Sequence, residues 1–407
     1  MLAAAGSAVG VGNLWRFPYL AAKDGGGVFL MIYLVLILTV GFTLLSTDIA
    51  IGRKTGKSAF YAYDSMNHKW KFLGVITFLV PVLIMTYYAV IGGWILKYIL
   101  MFLSGNVEAA AQDNCFIAFI TSPGSVWYAL VFMLVTAFIV YNGVEKGIER
   151  VSKTMMPLFL IIVVGIAVYS LTLRAPAEDG SIRTGLQGLK VYLTPDWSGM
   201  TVSRFLQITL DAMSQLFFSL SVSMGIMITY GSYVKPDVDL GKSVSMIELM
   251  DTGVALLAGM VIIPAVYVFF GVDGMSAGTG LMFISLPRVF FRMGAAGRIV
   301  GLLFFILAAF AALTSCISVL ESIVAGAFNP AAFTGGTIGS LFVSMQKGVS
   351  RGIFSNEAGL GTGSIAHACA DTKKPVKQGM FGIFEVFADT IVICTLTAMV
   401  ILCSGVP

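Results

Sequence analysis

The chain has 407 residues, of which 57% are hydrophobic and 11% charged, and its mean hydropathy is +0.91. Soluble domains carry about 25% charged residues, so a soluble globule is excluded. The net charge of +4 is spread mostly through loops and gives no nucleic-acid signal. Apolar runs of about 20 residues recur, each long enough to cross a bilayer. They predict an all-α polytopic membrane protein with about nine spans, at roughly 1–20, 27–51, 72–103, 124–141, 153–173, 204–231, 242–271, 297–325 and 380–404.

The first stretch, MLAAAGSAVGVGNLWRFPY, is short and interrupted for a span. Gly6, Gly10 and Gly12 punctuate it, Asn13 and Arg16 stand where lipid should be, and Pro18 closes it. Glycine lowers helix stability by roughly 1 kcal/mol relative to alanine, so unwinding is expected around residues 8–12. Unwound backbone is tolerated at membrane depth only where it is buried in protein or lines a cavity. Freed carbonyls there can ligate a cation, and freed amides an anion. Small residues that let helices pack closely explain the glycines equally well; Asn13 and Arg16 favour a site. No A-x-A cleavage motif follows, so no cleavable signal peptide is expected.

Span two ends in STDIAIGRKTGKS, with Asp48 at the end of an apolar run, costly unless paired. Span three carries Tyr87 and Tyr88, a pair that context-free reading assigns to packing. Span six holds Ser219, Ser221, Ser223 and Gly225, which soften a helix because serine offers the backbone alternative hydrogen bonds. Asp251 sits among apolar residues of span seven with no cationic neighbour on its helix. In span eight, Ala311, Thr314 and Ser315 share one helical face. The loops at 52–71, 142–152, 232–241 and 326–379 and their flanks hold Arg53, Lys54, Lys57, Lys146, Arg150, Lys373 and Lys374. The loop at 104–123 has neither Lys nor Arg, so a cytoplasmic N-terminus is expected. The polar, turn-rich 174–203 reads as an outside loop. Of the five cysteines (Cys115, Cys316, Cys369, Cys394, Cys403), only Cys115 falls in an outside loop, so neither an external disulfide nor a metal motif is expected. His68 and His367 lie in loops without a nucleophile, which argues against an enzyme. No charged ring or filter-like repeat argues for a channel.

GSAVGVGNLWRFPYLAAKDGGGVFL resembles the opening helix and following loop of the neurotransmitter:sodium symporter family, whose fold is the LeuT-type inverted repeat. With further landmarks the resemblance runs from residue 1 to about 325. It implies helices one and six unwound in mid-membrane, and sodium-coupled symport of a neutral amino acid. It implies substrate contacts from Ser7, Ala8, Val11, Gly12, Ile84, Tyr88, Phe218, Ser221, Met224, Ser315 and Val319. Tyr88 stands where the family's tyrosine bonds the substrate carboxylate, with Ile84 and Tyr87 beside it. One sodium would take Ala8, Asn13, Ser219 and Asp251; a second would take Gly6, Val9, Ala311, Thr314 and Ser315. Arg16 and Phe218 would form the outer gate. Asp48 replaces a glutamate that holds the freed backbone. Asp251 replaces the asparagine of chloride-dependent members, which implies a built-in anion, no chloride requirement and a proton-sensitive site. Met224 stands where an aromatic is common, and its flexible thioether points to bulky apolar or aromatic substrates.

After about residue 325 the resemblance changes. RGIFSNEAGLG and the helix after it are similar to the alanine or glycine:cation symporter family. The resemblance thus implies a symporter core over 1–325, a cytoplasmic or amphipathic segment over 326–379, and an added span at 380–404. Helices nine to twelve of the first family, with the acid that partners Arg16, are absent on this reading. Asn356, Glu357, Asp389 and Thr390 belong to the second resemblance and have no site to join. The alternative expectation is therefore a chimeric membrane product that binds sodium and amino acid, or neither, without transport. The expected partners are a small amino acid and the lipid bilayer of the plasma or inner membrane, with no nucleic acid.

Overall fold

The computed structural model describes residues 2–177, 180–271 and 280–327. The chain divides into two compact units, Met1–Gly326 and Ala327–Pro407, and the architecture below is that of the first. The added span expected at 380–404 and the segment at 328–379 lie outside the described residues.

The first span is in three pieces, α1 (Leu2–Ala8), α2 (Val11–Leu14) and α3 (Arg16–Lys23). The break falls at Val9 and Gly10, inside the stretch where the glycines predict it. The second span joins α4 (Gly27–Leu36) to α5 (Phe42–Thr55) through a π-helical turn at Ile37–Gly41. Gly56, at φ +61°, stops α5 in the left-handed conformation that glycine tolerates. The expected loop at 52–71 is largely helical, with α6 (Ala59–Met66) and a 3₁₀ turn at His68–Trp70. The third span is α7 (Lys71–Leu103), and the loop after it holds the short helices α8 (Val107–Ala110) and α9 (Cys115–Ile120). Then come α10 (Gly124–Tyr141) and α11 (Arg150–Thr172), the latter preceded by a π-helical turn at Val144–Glu149.

The outside segment expected at 174–203 is more structured than its turn-rich composition suggests. An antiparallel pair, β1 (Arg174–Pro176) and β2 (Ile182–Thr184), leads into α12 (Gly185–Leu193). There Thr184 and Gln187 form a capping box that satisfies the first amides. The sixth span is broken like the first, into α13 (Val202–Ser219) and α14 (Ile226–Ser232). The rest is α15 (Leu240–Phe270), α16 (Leu286–Arg292) after a π-helical turn at Leu281–Ser285, and α17 (Ala295–Ala327).

Among the described residues six helices are long and apolar enough to cross a membrane: Gly27–Thr55, His68–Leu103, Gly124–Tyr141, Gly147–Thr172, Leu240–Phe270 and Ala295–Ala327. The first and sixth expected spans miss that length because each is interrupted. Lipid-facing rows of apolar side chains, such as Val35, Leu38, Leu130, Leu134 and Phe138, stay exposed on these helices, as a chain solvated by lipid requires. Inside, α5 runs along α14, α7 along α10, and α15 against α11 and α12. The α5–α14 seam is tight because Gly52 and Gly231 face each other's helix. A Cβ on Gly52 would run into the Ile228 carbonyl, and one on Gly231 into that of Ile49. Close backbone approach of this kind needs small residues. It fixes α14, and with it the second break, beside span two.

Candidate functional site

The two breaks liberate backbone groups, and the hydrogen-bond ladder shows which. Among the described residues no backbone amide reaches the carbonyls of Gly6, Ser7, Ala8 or Val9. The Gly10 amide turns instead to Asn13 Oδ1 at 3.4 Å, and the Asn13 amide takes the Gly10 carbonyl at 3.1 Å. The second break, at 220–225, leaves the carbonyls of residues 219–224 likewise without an amide. Ser221 and Ser223 hold φ of 54° and 61° there, with Gly225 at 73°. Positive φ costs an ordinary residue roughly 1–2 kcal/mol, so this turn is held by its surroundings. Asp48 supplies part of that hold, accepting the Ser223 amide at 3.2 Å while 7% exposed.

Asp251, on α15, faces the first break and is completely buried. Its Oδ1 accepts from Asn13 Nδ2 at 2.7 Å and from Ser219 Oγ at 2.6 Å, and its Oδ2 accepts from Tyr33 Oη at 3.4 Å. Asn13 Nδ2 also reaches the Asp251 carbonyl at 3.1 Å, and Ser219 Oγ lies 3.1 Å from Asn13 Oδ1. Asn13, Ser219 and Asp251, singled out separately in the sequence, therefore meet in one polar cage. Tyr33 completes the cage and was not anticipated. A tyrosine in an apolar run carries no sign that a partner 218 residues away will claim its hydroxyl.

Beside the cage lies a small cavity of about 20 Å³. The half of span one before Asn13 lines it with Ser7, Ala8, Gly10 and Gly12, and α7 adds Ile84 and Tyr88. The second break contributes Phe218, Ser219, Ser221, Met224 and Ile226, and α17 closes it with Ser315 and Val319. Gly10 is the tightest point: a Cβ there would sit 2.7 Å from Ser315 Oγ and 3.1 Å from Tyr88 Oη. Gly10 and Ile226 were not in the expected list. A second cavity is lined by Val11, Trp15, Arg16, Tyr19, Tyr87 and Ile91, and it shares Gly12, Tyr88 and Phe218 with the first. Tyr87, expected beside Tyr88 in the pocket, lines this second cavity instead, because it projects from α7 one position earlier, toward the other side; Val11 lines it too, with its backbone against the Tyr88 hydroxyl. Phe218 stands on both walls.

The remaining expected residues are near one another without forming a complete ligand shell. Gly6 faces Thr314, whose Cβ would lie 3.5 Å from an added Cβ. The Thr314 hydroxyl turns back on its own helix, donating to the Phe310 carbonyl at 2.9 Å, and Ser315 Oγ donates to the Ser7 carbonyl at 3.3 Å. Ala311 and Val9 are buried in the same core. Arg16 donates to Ser214 Oγ at 2.9 Å and Gln215 Oε1 at 3.4 Å, and Gln215 Nε2 reaches the Gly12 carbonyl at 3.4 Å. Gln215 was missed. Lys23–Asp211 and Arg204–Asp24 ion pairs, each at 2.9 Å, tie the same two helices further out.

The sodium:neurotransmitter symporter family model matches residues 1–118, and the sodium:alanine symporter family model matches residues 209–407. The uncharacterized sodium-dependent transporter YhdH of Bacillus subtilis is 37% identical over 80% of this chain and 70% of its own. The chain belongs to the sodium:neurotransmitter symporter family. An uncharacterized sodium-dependent transporter of Haemophilus influenzae is 32% identical over 80% of this chain and 71% of its own. Among solved structures, MhsT in complex with L-phenylalanine has the same fold, with TM-score 0.69 and 31% identity, covering 100% of this chain and 97% of that one. The symporter is thus a sodium-dependent transporter and not an enzyme. Its match to the sodium:alanine family begins at residue 209, well upstream of the change of resemblance near 325, and takes in the whole second break.

Proposed function

We propose that this symporter carries a neutral amino acid, of the bulky apolar or aromatic class, together with sodium. The observation that carries the reading is the lining of the small cavity between the two breaks, polar at the Asn13–Ser219–Asp251 end and apolar at Ile84, Met224, Ile226 and Val319. A zwitterion suits the chemistry of that lining. Its carboxylate would take Tyr88 and the amides near Val11 and Gly12, and its ammonium would take carbonyls freed at Ala8 and in the second break. The relative solved with L-phenylalanine supports a side chain of that size.

One sodium would sit between Ala8, Asn13, Ser219 and Asp251, next to the carboxylate. The other would take Gly6, Val9, Ala311, Thr314 and Ser315. That second shell requires the Thr314 hydroxyl to keep a lone pair for the ion while donating to its own helix. Asp251 supplies a negative charge, so chloride is not required. Sodium would favour an outward-open form that substrate then closes, a difference of affinity between two states. Each charge carried inward down ~100 mV contributes about 2.3 kcal/mol, more than a tenfold concentration ratio at about 1.4 kcal/mol per decade. The N-terminus would be cytoplasmic, in a plasma or inner membrane.

The test is equilibrium binding of radiolabelled tryptophan, leucine and alanine to the purified chain, in sodium and in potassium, with chloride replaced by gluconate. Saturable binding that needs sodium and ignores chloride is expected. A folded preparation that binds none of them in sodium refutes the reading. The match to a second family over 209–407 favours one further reading, binding without transport. Sodium-driven uptake into liposomes would exclude it.

A further inference from the structure

Asp24 is a fully buried acid that neither cavity uses. It follows α3 as its last capping residue, and its Oδ1 accepts from Arg204 Nη2 on α13 at 2.9 Å. Its Oδ2 has no donor among the described residues. The Asp24 carboxyl instead lies within hydrogen-bonding reach of a second acid on α13, Asp211. Two carboxylates only accept, so a hydrogen bond between them requires a proton on one. The other charged groups around Asp24 are engaged. Lys23 Nζ donates to Asp211 Oδ2 at 2.9 Å, and Arg204 Nη2 also reaches the Lys23 carbonyl at 2.9 Å. Asp196, whose amide bonds the Gly25 carbonyl, turns its carboxylate to Ser198. Burial, with Asp211 adding to it, outweighs the pull of Lys23 and Arg204 and raises the Asp24 carboxyl above its ordinary range.

The place of this pair gives it a consequence. α3 and α13 are halves of the two broken spans, and they run antiparallel. Arg16 meets Ser214 and Gln215, Lys23 meets Asp211, and Asp24 meets Arg204. Trp15, Arg16 and Tyr19 wall the second cavity on one side and Phe218 on the other. Separating the two helices widens that cavity and takes Asp24 out of its buried contact with Asp211. The hydrated carboxyl returns to its ordinary value and gives up its proton. The arrangement with α3 against α13 therefore binds one proton more than the separated one. Asp211, with 27% of its side chain exposed, gives that proton a route to solvent.

We infer that Asp24 carries a proton and donates it to the Asp211 carboxylate, a latch between the outer halves of the two broken spans through which external acid holds the second cavity narrow. Arg204 then bonds a neutral carboxyl oxygen and keeps 34% of its side chain exposed. The inference rests on the symport reading only in taking the separation of α3 from α13 as the outer opening.

The experiment reads access to the second cavity without sodium or amino acid. Ile91, on its wall, is replaced by cysteine in the purified full chain, and alkylation of that peptide is followed by mass spectrometry from about pH 4 to about pH 7. The same is done with Asp24→Asn added, whose amide donates to Asp211 at every pH and so mimics the protonated latch. The ratio of the two rates cancels the thiol's own titration. It is expected to be about 1 at the acid end and to rise about fivefold or more by neutral pH, one released proton allowing at most about tenfold per pH unit. A ratio that does not change with pH overturns the latch. A ratio below one at neutral pH also overturns it, because Asp24 would then serve as the charged partner of Arg204. If Asp24→Asn does not fold, Asp211→Asn, whose amide can donate to Asp24, becomes the reference and the same ratios decide. A rising ratio in a chain that binds no labelled tryptophan in sodium leaves the latch standing and the amino-acid reading refuted. A flat ratio in a chain that binds it does the reverse.

Discussion

Replacing Asp251 by asparagine tests the electrostatic core of the site with the least change of shape. The side chain keeps one oxygen for Asn13 Nδ2, now 2.7 Å from Asp251 Oδ1, and for Ser219 Oγ at 2.6 Å. What it loses is the charge. Two unit charges ~4 Å apart attract by about 4 kcal/mol at an effective dielectric of ~20. The amide dipole that remains recovers part of this, which leaves a net loss of about 2 kcal/mol, roughly thirtyfold in sodium affinity. The lost charge also leaves donors to spare, since Tyr33 Oη and the new amide would both point at the space Oδ2 occupied. An anion from solution is expected to bind beside these donors. In gluconate, the sodium concentration for half-maximal amino-acid binding is expected to rise about thirtyfold. In chloride most of that loss should return, and wild type should show no difference between the two salts. Unchanged sodium affinity in gluconate would mean that Asp251 is not beside the ion. A loss that chloride leaves untouched would mean that its role is only to hold Asn13 and Ser219.

Three other outcomes follow from the packing. Gly52→Ala and Gly231→Ala each drive a methyl group into backbone of the facing helix, so each should cost about 1–3 kcal/mol and lower the midpoint of thermal unfolding in detergent; an unchanged midpoint would show that α5 and α14 can move apart freely. Ser223→Val places a β-branched residue at φ 61° and should destabilise by about 1–3 kcal/mol, whereas Ser223→Gly should not. At the outer end, burial raises the Asp24 carboxyl above its ordinary range against the pull of Lys23 and Arg204. A raised folded value makes its contribution full below about pH 3.9 and lost as pH rises through that value. Stability of the wild type should therefore fall with rising pH more steeply than that of Asp24→Asn, and equal slopes from thermal unfolding at several pH values would refute the assignment.

What the sequence revealed and what it hid divide along a physical line. Glycine acts locally, so Gly6, Gly10 and Gly12 announced the first break, and Ser219–Gly225 the second, without any knowledge of the fold. Asp251 and Asp48 were legible because a charge in an apolar run is costly wherever it sits. Two polar residues beside them were not. Tyr33 and Gln215 become functional only when spans distant in sequence meet, and nothing in FLMIYLVL or in MSQLFF distinguishes them from packing residues. The π-helical turn in ILTVG carries no composition signal. Tyr87 was placed on the right helix but lines the outer cavity, an error of about one residue in helical phase.

The breaks also explain why sodium should matter to the fold itself. Unwinding a helix frees donors and acceptors together, but the chain supplies side chains mainly for the donors. Asp48 takes the Ser223 amide and Asn13 takes that of Gly10. Among the described residues the carbonyls of Gly6, Ala8 and Val9, and those of residues 219–224, have no such side chain, while that of Ser7 takes the Ser315 hydroxyl. A buried carbonyl without a partner costs free energy comparable to a lost hydrogen bond, so a cation that gathers several of them stabilises the folded chain as well as serving transport. A ligand at one hundred times its dissociation constant stabilises by about 2.7 kcal/mol. Saturating sodium should therefore raise the unfolding midpoint in the absence of any amino acid, while potassium at equal ionic strength should not. If the two salts gave the same midpoint, the freed carbonyls would have to be satisfied by water, and the breaks would be hydrated hinges and not ion sites.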